Sequence, residues 1–322
     1  MISVGLRQHR IQLSSGIALM ALLAALLVWT GHEMTSYLRS SGLAACLAAH
    51  GGGCDSFSRL FENRYGTLLS DTSWLNFLPM LVGVFWGAPL VARELETGTF
   101  RLAWTQSVTR RRWLSTKLTM FLIATVAIGL GFSLLLGWWF HPFAQLNFGG
   151  GYSRMDMDSF DFQGVVPVAY SLFAFSIGAA AGAVVRRVLP AMAITFATYL
   201  PSRLWVQSLR GRFEAPLHVT YQAFGTSPRA GLGDWIIQSR IVNRVGRTVS
   251  DQAVLSTCGI GPKTPKLGVF QCLAAHGYKQ VDVYQPASRF WTFQGIESGI
   301  FVGLAVLLLL LTFYWVTRRT TS

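Results

Sequence analysis

VARELETGTFRLAWTQSVTRRRWLSTK, residues 91–117, is the only sizeable polar stretch of this chain that lies between two hydrophobic spans and is dense in both charge and helix formers. Arg93, Glu94 and Glu96 follow a hydrophobic run within a turn, Gly98 is a helix breaker, and Thr99 can cap a short new helix. Phe100, Ala103, Trp104 and Val108 then recur at helical spacing. Arg110, Arg111 and Arg112 close the stretch just before the next hydrophobic run. The pattern predicts a short amphipathic helix inside a polar loop. Arginines at such a place also fix the orientation of a membrane protein, because basic loops stay on the cytoplasmic side. What remains to decide is whether something docks there as well.

Around that stretch the chain is apolar. Of its 322 residues 52% are hydrophobic and 13% charged, and the mean hydropathy is +0.42, which argues against a polar-surfaced globule. The formal charge of +13 suits anionic lipid headgroups and cytoplasmic loop ends. No basic module with an adjoining recognition helix is present, so nucleic acid is not expected as a partner.

Six apolar runs are long enough to cross a bilayer: Leu13 to Thr30, Trp74 to Val91, Leu118 to Phe140, Val165 to Val185, Val188 to Trp205 and Ile296 to Val316. The first ends without a small-x-small cleavage site and reads as a retained helix rather than a signal peptide. Arg or Lys marks every inward-facing end. The expected fold is therefore an all-α polytopic membrane protein with six transmembrane helices, cytoplasmic termini and one transmembrane domain over residues 1–322. Residues 92–117 form its cytoplasmic loop, and a large external loop between helices five and six covers residues 206–294. Gly83 and Gly87 in the second span, and Gly178 and Gly182 in the fourth, stand at the GxxxG spacing that lets helices approach closely. Asp156, Asp158 and Asp161 lack the glycine and terminal glutamate of an EF-hand and read as a solvated acidic loop.

Proton-coupled transport and intramembrane chemistry need ionisable groups at depth. Asn76, Arg203 and Glu297 sit only at the outer ends of their spans, without an evident partner, and read as interface-solvated side chains. His32-Glu33 lacks the second histidine of a zinc-protease motif. The segment Gly259 to Thr264 has a proline between Gly and Lys and lacks phosphate-loop spacing. No catalytic, metal or cofactor residue is expected. Energy for uphill movement has to enter through another polypeptide, and the 92–117 loop is the only one large enough to receive it.

All four cysteines lie outside the spans. Cys46 to Gly51 reads CLAAHG, and so does Cys272 to Gly277. In a helix each copy puts Cys and His four apart on one face, a possible metal-ligand spacing. Disulfides compete with that in an oxidising compartment. Pairing within each loop, Cys46 with Cys54 and Cys258 with Cys272, is expected over cross-loop pairing, two of the three connectivities that four cysteines allow being cross-loop.

The segment ARELETGTFRLAWTQSVTRRRWLSTKL (92–118), followed by YQPASRFWTFQGIESGIF (284–301) leading into the last helix, resembles the permease subunits of ABC-2 type ABC transporters, particularly actinobacterial ones. The resemblance implies six helices per subunit, a homodimer or heterodimer in a bacterial plasma membrane, and a separate ABC-type ATPase that binds the ATP. That ATPase would dock on a coupling helix between helices two and three, with Arg93, Glu94, Glu96, Gly98, Thr99, Arg101 and Trp104 in or beside it. Trp291, Phe293, Gln294 and Glu297 would belong to an external gate region. No importer-type loop motif is found, so the resemblance implies export. Two other readings stay open: a membrane scaffold or sensor that reads the exterior through its disulfide-stapled loops, and a membrane enzyme acting through His276 or Asp282.

Overall fold

The computed structural model describes residues 10–48, 54–98, 109–144, 153–223, 233–259 and 266–318. The first run becomes helix α1 (Arg10–Ser40), which carries well past Thr30. Short α2 (Leu43–Ala48) and α3 (Asp55–Asp71) follow, so the expected first external loop is largely helical. Phe61 and Tyr65 of α3 turn inward against Tyr37 of α1, with ring centroids 4.9–6.2 Å apart, because their four-residue spacing puts both rings on one face.

A 3-10 turn (Thr72–Phe77) leads into one continuous helical run. It comprises α4 (Leu78–Val82), a π-helical turn (Gly83–Gly87) and α5 (Ala88–Thr97). The next long helix, α6 (Arg110–Trp139), starts eight residues before Leu118; Thr109 caps it by accepting from the Arg112 amide at 3.3 Å. Short helices α7 (His141–Ala144) and α8 (Met157–Phe162) follow, then α9 (Val166–Val185) and α10 (Val188–Leu209).

Helix α9 is the hub of the bundle. It is buried on every face, with the α4–α5 run, α6, α10 and the last helix packed around it. Glycine makes this possible. A Cβ on Gly83 or Gly87 would strike the carbonyl oxygens of Ala174 and Phe175, and one on Gly178 or Gly182 would strike those of Gly83 and Ala88. The two GxxxG stretches therefore pack on each other.

After α10 and a 3-10 turn (Arg210–Arg212) the chain leaves the bundle and corrects the all-α expectation. Strands β1 (Leu217–Gln222), β2 (Trp235–Val242), β3 (Thr248–Val249) and β4 (Lys279–Gln285) form an antiparallel sheet in the order β1-β4-β2-β3. Val219, Tyr221, Ile241, Val281 and Val283 are β-branched or aromatic residues suited to a half-buried sheet. Helices α11 (Asp251–Thr257) and α12 (Lys266–His276) cover it, with Val254, Leu273, Tyr278 and Ile241 in a small core of their own. The segment read as one long loop thus contains a folded α/β unit. The chain returns to the bundle as α13 (Phe290–Arg318).

Among the described residues, five helical stretches are long and apolar enough to cross a membrane, ending at Ser40, Thr97, Phe143, Val185 and Arg318. The sixth expected span, α10, is helical throughout but is not among those five. Cys46 is bonded to Cys54, joining α2 to the start of α3, and Cys258 to Cys272, joining α11 to α12.

Candidate functional site

The polar loop is anchored at its base. Gly98 takes φ +72°, the left-handed conformation that ends α5 without a Cβ penalty. Thr99, Phe100, Arg101 and Trp104, expected to form the docking helix, lie outside the described residues. Glu94 and Lys117 lie inside them and meet across α5 and α6 in an ion pair, each residue 6% exposed. The Lys117 ammonium also lies 4.8 Å from the Trp113 ring centroid, an attraction that strengthens as the site is desolvated. Glu96 reaches the start of α10, where its Oε2 accepts from the Val188 amide at 2.9 Å and satisfies one of the donors that a helix start leaves open.

The two acids placed in or beside the coupling helix are thus engaged within the chain, Glu94 buried and Glu96 exposed like Arg93. Glu94 holds α5 to α6, and Glu96 holds α5 to α10. Any push on the loop therefore meets three helices that are already tied together. The van der Waals floor beneath is apolar: Leu90, Val91, Trp113, Leu114 and Val316 are buried in one cluster.

At the opposite end of the same bundle lies a second polar cluster, and it corrects the reading of Asp161, Arg203 and Glu297 as solvated. Asp161 on α8 accepts from Arg203 Nη2 at 2.7 Å and from Arg210 Nη2. Glu297 on α13 accepts from Arg210 Nε at 2.8 Å and Nη2 at 2.9 Å. The Tyr170 hydroxyl contacts both carboxylates, at 3.1 Å from Asp161 Oδ1. Arg203 Nη1 donates to the Asn76 carbonyl at 2.8 Å, and Nη2 to its side-chain oxygen. Arg210 and Glu297 are fully buried and Asp161 is 2% exposed. Two cations and two anions balance, as burial at this depth requires. The guanidinium of Arg210 also lies 4.1 Å from the Phe160 ring centroid, and that of Arg203 4.8 Å from Tyr170.

The residues assigned to an external gate fall beside this cluster. Gln294 is fully buried; its Oε1 accepts from the amides of Val165 and Val166 at 2.9 and 3.0 Å, and its Nε2 donates to the Phe160 carbonyl at 3.0 Å. It therefore caps α9 from another helix. Phe293 is buried against Phe213, ring centroids 5.6 Å apart, while Trp291 is exposed. Lys117, Asp161, Arg210 and Tyr170 were not singled out from the sequence as partners. The one available signal was the seven-residue spacing of Arg203 and Arg210, two helical turns on one face.

In the α/β unit Asp282 is fully buried and accepts from Tyr221 Oη at 2.8 Å and Ser239 Oγ at 2.6 Å. Cys258, Cys272 and His276 are grouped closely enough to share an ion. Both sulfurs are spent on their mutual bond, and a metal wants thiolates.

A family model described as ABC-2 membrane transporter related matches residues 17–210. No curated protein and no solved structure matches. The match covers more than half of the chain and stops at Arg210, before the β-sheet and α13. The chain belongs to the ABC-2 membrane transporter related family, and with its long apolar helices it is a multi-pass membrane protein of the transporter class.

Proposed function

We propose that this member of the ABC-2 transporter-related family is the permease subunit of an ATP-driven exporter, energised by a separate ABC-type ATPase docked on the loop between α5 and α6. The observation that carries the reading is the Glu94–Lys117 pair at the base of that loop, with Glu96 on the α10 amide. Closure of an ATPase dimer is a rigid-body motion, and tied helices pass such a motion on where a slack linker would absorb it. Arg110, Arg111, Arg112, Arg186, Arg187 and Arg318 flank helix ends on the side of this clasp, which supports a cytoplasmic assignment for it. In this reading α10 is the fifth of six spans, the α/β unit is external, and two subunits, alike or different, work as a dimer in a bacterial plasma membrane. Export rather than import rests on the missing importer-type loop motif.

The test is affinity purification with a candidate ATPase, comparing wild type with Arg101→Glu and Trp104→Ala. Recovery of the ATPase is expected to fall by about tenfold in each variant, as for a central anchor of an interface, with membrane insertion unchanged. Undiminished recovery and normal ATP hydrolysis in both would remove the docking assignment.

A further inference from the structure

We propose that Asp161, Arg203, Arg210 and Glu297 form an ionic latch that closes the end of the bundle opposite the loop, and that cargo leaves when this latch opens into water. The inference rests on the exporter reading and adds to it the gate.

Position is the first argument. The cluster joins α8, the first turns of α9, the end of α10, the start of α13 and, through Asn76, the approach to α4. One or two turns further into the bundle, α9, α10 and α13 line a groove of about 540 Å³. Phe173, Ile177, Thr198, Ser202, Leu304 and Leu308 are among its walls. Tyr170 stands one turn from Phe173, Arg203 is next to Ser202, and Glu297 is two turns from Leu304. The charges therefore cap the same three helices that frame the groove.

The second argument is energetic. A buried ion pair gains little over a well-packed apolar junction, since the attraction is offset by the water each charge gives up. An apolar contact would hold these ends together at least as well. What charges add is a low cost of parting: separated in water, both carboxylates and both guanidiniums recover hydration, whereas separated apolar faces are exposed at a penalty proportional to area. Arg203 Nε and Arg210 Nη1 are buried donors with no acceptor among the described residues, so the closed arrangement is not saturated. These are the properties of a closure that has to be undone.

The test uses the chain in lipid nanodiscs with its copurified ATPase, read by hydrogen exchange of segments 157–166 and 290–298. Trapping ATP on wild type is expected to raise exchange in both segments by at least about tenfold. A fourfold apolar variant, Asp161→Leu, Arg203→Met, Arg210→Met and Glu297→Leu, is expected to fold and bind the ATPase but to show no such rise. Its ATP hydrolysis would no longer respond to compounds that stimulate wild type. Stimulated hydrolysis by wild type without a change in exchange overturns the latch and leaves the exporter reading standing. Failure of wild type to hold any ATPase removes both. Should the fourfold variant not fold, Glu297→Gln decides: basal exchange about tenfold above wild type is expected, and an unchanged rate overturns the latch.

Discussion

Glu94 and Lys117 show how a charge placed in or beside a docking helix can be committed inside the fold. Breaking a buried pair strands its other member, whereas replacing both can be neutral. Lys117→Met is therefore expected to cost about 3–5 kcal/mol, and the double variant Glu94→Met with Lys117→Met to recover most of that. Thermal unfolding in detergent of both proteins measures it; equal loss in the two would show that the pair is not coupled. Charge reversal at Glu94 alone would bring two cations together in an apolar setting, so it cannot test docking separately from folding. Gly98 was legible at this scale, because a glycine between a helix and a polar run is a local signal and its φ of +72° is the local consequence. The partner of Glu94 was not, because it lies 23 residues away on another helix.

At the scale of elements, the GxxxG stretches predicted close approach and the structure supplies the contact: Gly83 and Gly87 against α9, Gly178 and Gly182 against the α4–α5 run. Gly178→Leu would drive a side chain into the Gly83 carbonyl and the Ala88 amide, both backbone atoms that cannot rotate aside. Its expected result is loss of a cooperative unfolding transition, with Gly131→Leu, where a Cβ meets nothing within 4 Å, close to wild type. Similar unfolding of the two variants would mean that the approach of these helices does not govern stability. The long apolar helices were legible from apolar length, whereas α3, α11 and α12, in segments read as loops, were not. The strands were hidden because β1, β2 and β4 carry polar residues among their apolar ones, and a long basic segment outside the spans has no hydropathy signature to separate a sheet from a loop.

For the whole molecule, the two polar clusters define the ends of the bundle and hence a topology that can be checked directly. Arg111 is exposed near the Glu94–Lys117 end, and Val245, 80% exposed, lies on the turn between β2 and β3. Val245→Cys is expected to react with a membrane-impermeant maleimide on intact cells, and Arg111→Cys only after permeabilisation. The opposite pattern would invert the protein and place the proposed docking loop outside. The α/β unit and α13 follow the family match in sequence and fall beyond it.

Sequence alone was sufficient for what is local. Apolar run length announced the membrane class, glycine spacing the close helix contacts, and the CLAAHG repeat drew attention to cysteines that the structure joins in sequence-near pairs. Tertiary structure alone decided which charges are solvated. Asp161, Arg203, Arg210 and Glu297 are spread over 136 residues; Arg203 and Glu297 read as solvated groups at span ends, Asp161 as part of a solvated loop, and Arg210 drew no reading. Their burial is a property of four converging elements, and an ion pair's energy depends on the distance and dielectric that only convergence creates. The same holds for the stretch at residues 91–117: its polarity was visible from the start, but that its acids clasp three helices together was not.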